Sequence, residues 1–382
     1  MNVDIWKTIV PRPVVIFIYS LIFILALIST TGFINTVLPS SMTPKNLGEV
    51  SIKFQYFTEH KDDYDVIFLG PSSTYYGVIP KVFDEFMVKE GKSIKSFNFG
   101  IPGANVSEID FYLKKILALK PANLKWIFVD PLVNFFQFSP TSAKEIYWHT
   151  PRKTIENVQL ILASNLNWKR KIRYVYFNFK SFIYQSLGIG QLSSVWQEKI
   201  LASNLLKSNS LEEISEERLI QEAGYYAMDW RKDIEDWKKD FSLRFLDDYK
   251  QDLKKASPQN FNQEITPSNT YSLYGIKMIK EIAYKINNQK EISKNKIEPI
   301  FFIPPNLEFE NNNAIIKAYD LGYIPVLFAF NNPQRFANLY KLDHRIDRVH
   351  LNYQGAQELT LAMAEKFSQH LKLSQAISIS QN

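Results

Sequence analysis

Residues 64–74 read YDVIFLGPSST, a short apolar run that stops at Gly70-Pro71. A run this brief, closed by two chain breakers, predicts a strand buried on both faces. The same grammar recurs along the chain. Ser96–Phe99 stops at Gly100, Trp126–Val129 at Asp130-Pro131, Ile297–Ile303 at Pro304-Pro305, and Tyr323–Phe330 at Asn331-Asn332-Pro333. Helical patterns lie between these runs, over Lys81–Glu90, Val106–Ala118, Tyr271–Asn288 and Asn313–Leu321. Strands alternating with helices predict an α/β fold. Its expected form is three layers, α/β/α, around a parallel sheet of about five strands. Ligands of such sheets bind at the carboxyl ends of the strands, where these Gly-, Pro- and Asn-rich turns fall.

Working outward, residues 139–267 break the alternation with helix formers, aromatics and charge, and predict a mostly helical insertion. Within it, Trp168–Phe182 mixes basic and aromatic residues. The ordinary reading is a cap helix with aromatics packed inward and Lys and Arg solvated. The other is a helix lying on an anionic membrane surface. The expected organisation is therefore a tail and anchor over 1–44, an α/β domain in two parts over 45–138 and 268–373, the insertion between them, and a frayed tail over 374–382.

From Pro13 to Pro44 no residue is charged, and Val14–Leu27 is almost wholly apolar. That length matches the roughly 20 residues a membrane-spanning helix needs. Lys7 and Arg12 precede it, so the positive-inside rule predicts a single-pass anchor in the cytoplasmic membrane with about 330 residues outside the cytoplasm. A cleaved secretory signal fits less well, because no clear Ala-x-Ala site ends the run.

The 382 residues carry 45 Lys+Arg against 39 Asp+Glu, a formal net charge of +6 spread in both signs along the chain. Such a spread gives little reason to expect a nucleic-acid partner. With 46% hydrophobic and 22% charged residues the composition is globular and excludes wholesale disorder. There is no cysteine, which excludes disulfides, thiolate metal sites and cysteine nucleophiles. Phosphate-loop, dinucleotide-turn and His-Glu-x-x-His zinc motifs are missing, so no cofactor or metal is expected.

Two segments carry chemistry. The first strand ends in Gly70-Pro71-Ser72-Ser73-Thr74, which sets a serine hydroxyl at the open edge of the sheet beside a helix N-terminus. Either serine equally suits a plain helix cap. Near the other end, residues 347–356 read DRVHLNYQGA. A carboxylate at Asp347 can accept Nδ1–H of His350 and leave Nε2 free as a base. Asp343-His344 just upstream is a competing pair, and spacing alone does not choose between them.

Taken together, these blocks resemble the SGNH (GDSL-like) hydrolase superfamily. The likeness is strongest to its membrane-anchored branch, which includes the D-alanine-transfer protein of teichoic acids and the alginate O-acetylation proteins. Residues 65–73 (DVIFLGPSS), 97–104 (FNFGIPGA), 124–131 (LKWIFVDP), 303–306 (IPPN) and the block around His350 carry it. The resemblance implies an SGNH/flavodoxin-like fold. It also implies Ser72 as nucleophile with Ser73 as fallback, His350 as general base, Asp347 orienting it, and the backbone N–H groups of Ser72 and Gly100 as oxyanion hole. The Leu-Asn-x-x-Gly that follows only His350 resolves the ambiguity with His344. The family's third block usually supplies an Asn donor, but Val129-Asp130-Pro131-Leu132 has none. Asn134 or Asn105 would have to substitute, since losing one donor costs about 3 kcal/mol of transition-state stabilisation.

The implied function is an extracytoplasmic serine esterase or O-acyltransferase that acts on a cell-surface polysaccharide. The partners it implies are an acylated glycan or acyl donor and a membrane-bound O-acyltransferase. The competing expectation is a non-catalytic glycan-binding or scaffold partner of such a transferase. A third is a lipid esterase that uses Trp168–Phe182 at an interface.

Overall fold

The computed structural model describes residues 12–37, 47–134, 140–187, 216–256, 270–289, 296–307 and 309–380. In chain order these form α1 (Arg12–Val37), α2 (Glu49–His60), β1 (Val66–Leu69), α3 (Ser72–Gly77), α4 (Pro80–Lys89), β2 (Ser96–Asn98), α5 (Val106–Ala118) and β3 (Trp126–Val129). There follow α6 (Ala143–Trp148), α7 (Pro151–Ala163), α8 (Trp168–Ser186), α9 (Glu216–Gln221), α10 (Ile234–Arg244) and α11 (Leu246–Lys255). The chain closes with α12 (Thr270–Asn287), β4 (Glu298–Ile303), α13 (Phe309–Asp320), β5 (Leu327–Ala329) and α14 (Tyr353–Ser380).

The sheet is parallel, five-stranded and ordered β2-β1-β3-β4-β5. The fold is thus α/β, and the strands stand where the apolar runs predict them. β5 is shorter than its run because the bend over residues 323–325, just after Gly322 at φ +70°, occupies the start. β1 and β2 are buried throughout and β3 and β4 all but their first residue, the edge strand β5 is half-buried at Leu327 and Ala329, and alternate residues divide between two cores. Ile67, Leu69, Ile127, Val129, Phe301 and Ile303 join α2, α5 and α12 on one side. Val66, Phe68, Phe128, Ile300 and Phe302 join α4 and α14 on the other. Phe128 touches the rings of Phe68, Phe83 and Phe367, so its truncation to Ala costs about 3–5 kcal/mol.

The chain order reverses between β1 and β3, and the carboxyl ends of these neighbours are the usual ligand crevice of such a sheet. The described parts of the insertion are helical, with no strand among them. They are sewn to the body at several points, among them the Tyr249 hydroxyl on the Tyr340 carbonyl and the Arg348–Asp252 ion pair. Lys153 of α7 and Lys285 of α12 both bind the buried carboxylate of Asp110 on α5. Asn98 donates its N–H to the carbonyl of Ala223 at 2.8 Å, which covers the otherwise open edge of β2.

One expectation is without support over the described residues, and two need correction. Over the described residues no helix is long and apolar enough to cross a membrane, so the anchor finds no support there. The end of the chain is not frayed from 374 but continues α14 to Ser380. On α8, Asn178 and Ser181 are buried, while Trp168, Ile172, Tyr176, Phe179 and Ile183 are exposed, the reverse of an inward-packed aromatic face.

Candidate active site

The turn after β1 sets the first group. Pro71 precedes the first helical residue of α3, and its carbonyl accepts the N–H groups of Thr74 and Tyr75 at 3.1 and 3.0 Å. This lifts the half-buried Ser72 to the carboxyl edge of the sheet. The second group comes from the loop before α14, where the Leu-Asn-x-x-Gly motif acts structurally. Asn352 caps the helix by accepting the Gly355 N–H at 2.9 Å. A Cβ on Gly355 would collide with the carbonyl of His344, so only glycine allows this approach.

With both turns in place, His350 Nε2 lies 2.8 Å from Ser72 Oγ, although 278 positions separate them. His350 Nδ1 lies 2.7 Å from Asp347 Oδ2. The other carboxylate oxygen, Oδ1, accepts the backbone N–H groups of Val349 and His350, each at 2.7 Å. Burial pushes the Asp347 carboxyl up, but the charge of His350 and these hydrogen bonds outweigh it and hold the group below its ordinary value. An ionised Asp347 accepts from Nδ1–H, which leaves the Nε2 lone pair for the Ser72 hydroxyl. The arrangement can take a proton from Ser72 and hold it.

The alternatives are occupied elsewhere. Ser73 Oγ donates to Asp130 Oδ2 at 2.6 Å, across the β1–β3 junction. Burial pushes the Asp130 carboxyl up to about 7 against the Ser73 hydrogen bond. His344 is buried, with Nδ1 3.6 Å from Glu358 rather than beside a serine, and the Asp343 carbonyl accepts from Asn352.

Gly100 departs from its expected part. Its N–H donates to Asn98 Oδ1 at 2.8 Å and is thereby committed. The glycine itself is needed because a Cβ there would strike the Tyr75 backbone in α3. Of the suggested substitutes, Asn105 uses Oδ1 to cap α5, and Asn134 Oδ1 is buried with no hydrogen-bond partner. Ser72 N–H is the remaining expected donor.

Sequence reasoning missed three residues. Arg345 is buried, and its guanidinium donates to the carbonyls of Pro305, Leu339, Asp347 and Arg348, so it grips the loop that carries Asp347 and His350. Lys53 of α2 is buried with Nζ 2.9 and 2.8 Å from the carbonyls of Asn98 and Gly100. Burial pulls its ammonium well below the ordinary lysine value, against the raising effect of Glu49. Trp237 of α10 and Tyr76 of α3 both stand edge-on to the His350 ring, at 6.2 and 5.6 Å, so the insertion reaches the site. For Lys53, the apolar positions Val50, Phe54 and Phe57 at helical spacing were a usable signal of α2. For Arg345 and Trp237 the sequence carries none.

Among the described residues, no cluster of three or more His, Asp and Glu is placed to hold a metal ion. Compared with known proteins, the chain matches no protein-family model and no curated protein sequence.

Proposed function

We propose that this chain is a serine-dependent esterase or O-acyltransferase of the SGNH type. The observation that carries the reading is the continuous hydrogen-bonded chain from Ser72 Oγ through His350 to Asp347, at 2.8 and 2.7 Å. His350 Nε2 takes the hydroxyl proton as Ser72 Oγ attacks an ester carbonyl. The Ser72 N–H stabilises the oxyanion. The tetrahedral intermediate collapses to an acyl-serine, and the leaving alcohol takes the proton back from His350. Water or a sugar hydroxyl then repeats the sequence in reverse, giving hydrolysis or transfer.

The substrate class follows from the resemblance of the Ser72 and His350 blocks to anchored acyl-transfer proteins. We assign an acylated cell-surface glycan or its acyl donor as substrate, with a membrane-bound O-acyltransferase as the natural companion. The uncharged run from Pro13 to Pro44 supports a single-pass anchor in the cytoplasmic membrane, with the α/β domain outside.

The test is covalent labelling by a fluorophosphonate. Wild type and Ser73→Ala should label, while Ser72→Ala and His350→Ala should not. Labelling that survives in Ser72→Ala removes Ser72 as nucleophile. The commitment of Gly100 N–H to Asn98 favours a second reading, a glycan-binding scaffold that has lost catalysis. Full complementation of a deletion strain by Ser72→Ala would decide for the scaffold.

A further inference from the structure

Helix α8 is inverted relative to an ordinary surface helix. At about 100° per residue, Trp168, Ile172, Tyr176, Phe179 and Ile183 fall within an arc of about 80°. These side chains are exposed by between 47% (Ile183) and 66% (Trp168). The opposite side holds the buried Asn178 and Ser181, whose polar groups bond to Asn157, His149 and the Pro140 carbonyl. The helix therefore spends its polar residues on the protein and turns its apolar ones outward. A stripe of this size in water calls for a partner.

The chemistry of the surroundings says which partner. The helix contains five basic residues, Lys169, Arg170, Lys171, Arg173 and Lys180, and no acidic one. Lys169 and Arg173 are exposed along one flank of the stripe. An apolar stripe with Trp and Tyr, bordered by Lys and Arg, matches a helix lying in the head-group region of an anionic bilayer. Helix α1, with its own outward-facing Ile16, Phe17 and Phe23, touches α8.

We infer that α8 is a membrane-contact helix that lies in the plane of an anionic phospholipid surface and inserts Trp168, Ile172, Tyr176, Phe179 and Ile183 into it. The inference rests on the anchored reading above only for the choice of leaflet. It gives the domain a second point of attachment, so the bilayer sets the orientation of the active site as well as its distance.

The absence of cysteine makes the test direct, because any introduced thiol is unique. The full chain is reconstituted in phosphatidylcholine/phosphatidylglycerol vesicles and labelled with an environment-sensitive fluorophore at Phe179→Cys, Tyr176→Cys, Phe23→Cys or, on the exposed Val88 of α4, Val88→Cys. Quenching by nitroxide-bearing lipids at Phe179→Cys and Tyr176→Cys should exceed that at Val88→Cys at least twofold. It should weaken when phosphatidylglycerol is replaced by phosphatidylcholine. Quenching of Phe23→Cys alone overturns the inference and leaves the anchor standing. Quenching of the α8 probes without Phe23→Cys supports the inference and removes the anchor. No quenching above Val88→Cys at any position overturns both, and would hand the α8 stripe to a protein partner.

Discussion

Asp347 divides its two oxygens between two tasks, and this division predicts what its amide would do. In Asp347→Asn the amide oxygen can still accept from the backbone N–H groups of Val349 and His350, which bond Oδ1 at 2.7 Å, so the loop should keep its shape. The amide nitrogen would then face Nδ1 and force the imidazole to carry its proton on Nε2, where Ser72 needs a base. Fluorophosphonate labelling should fall by about 10³–10⁴-fold while the unfolding temperature stays near wild type. Equal labelling would separate Asp347 from the chemistry. That Ser72, Asp347 and His350 were legible at all owes much to sequence blocks that place a serine after a buried strand and a histidine before a cap-and-glycine turn. Gly100 shows the limit of such reading. A motif names the residue but not where its N–H points, and the nearby Asn98 side chain claims it.

At the scale of elements, the histidine loop is short of regular backbone pairing and leans on one side chain. Arg345 supplies a planar fork to four carbonyls and lies over the rings of Tyr249 and Tyr340, at 5.5 and 5.7 Å. Lysine has the charge but neither the fork nor the stacking plane. Arg345→Lys should therefore lower unfolding free energy by about 2–4 kcal/mol, measured by urea denaturation, and slow labelling at temperatures where the fold persists. Labelling at the wild-type rate would mean the loop holds its geometry without the guanidinium. The strands were readable because apolar runs ended by Gly, Pro or Asn encode doubly buried strands directly. The orientation of α8 was not, since which face of a mixed basic and aromatic helix turns inward depends on Asn157 and His149, partners brought by other helices.

For the molecule as a whole, several carboxyls titrate unusually high. Burial pushes Asp84 and Asp130 up to about 7, and Glu108 up to about 8. A carboxyl raised on folding binds its proton more tightly in the native state, so its stabilising contribution is full below about pH 4 and is lost as pH rises towards the native value. Asp130→Asn should remove that loss while keeping an acceptor for Ser73. Thermal unfolding of both proteins from pH 4 to pH 8 should show the variant gaining on wild type across the interval. A constant difference would mean that Asp130 ionises normally.

The strand order also has a temporal consequence. The hydroxyl of Ser72 follows β1 directly and its base sits in the turn before α14, a separation of 278 positions. On the proposed reading, a chain emerging from the membrane carries an inert serine throughout its synthesis. Reactivity arrives only when the final helix docks, so partly made or clipped copies are unable to attack the envelope around them.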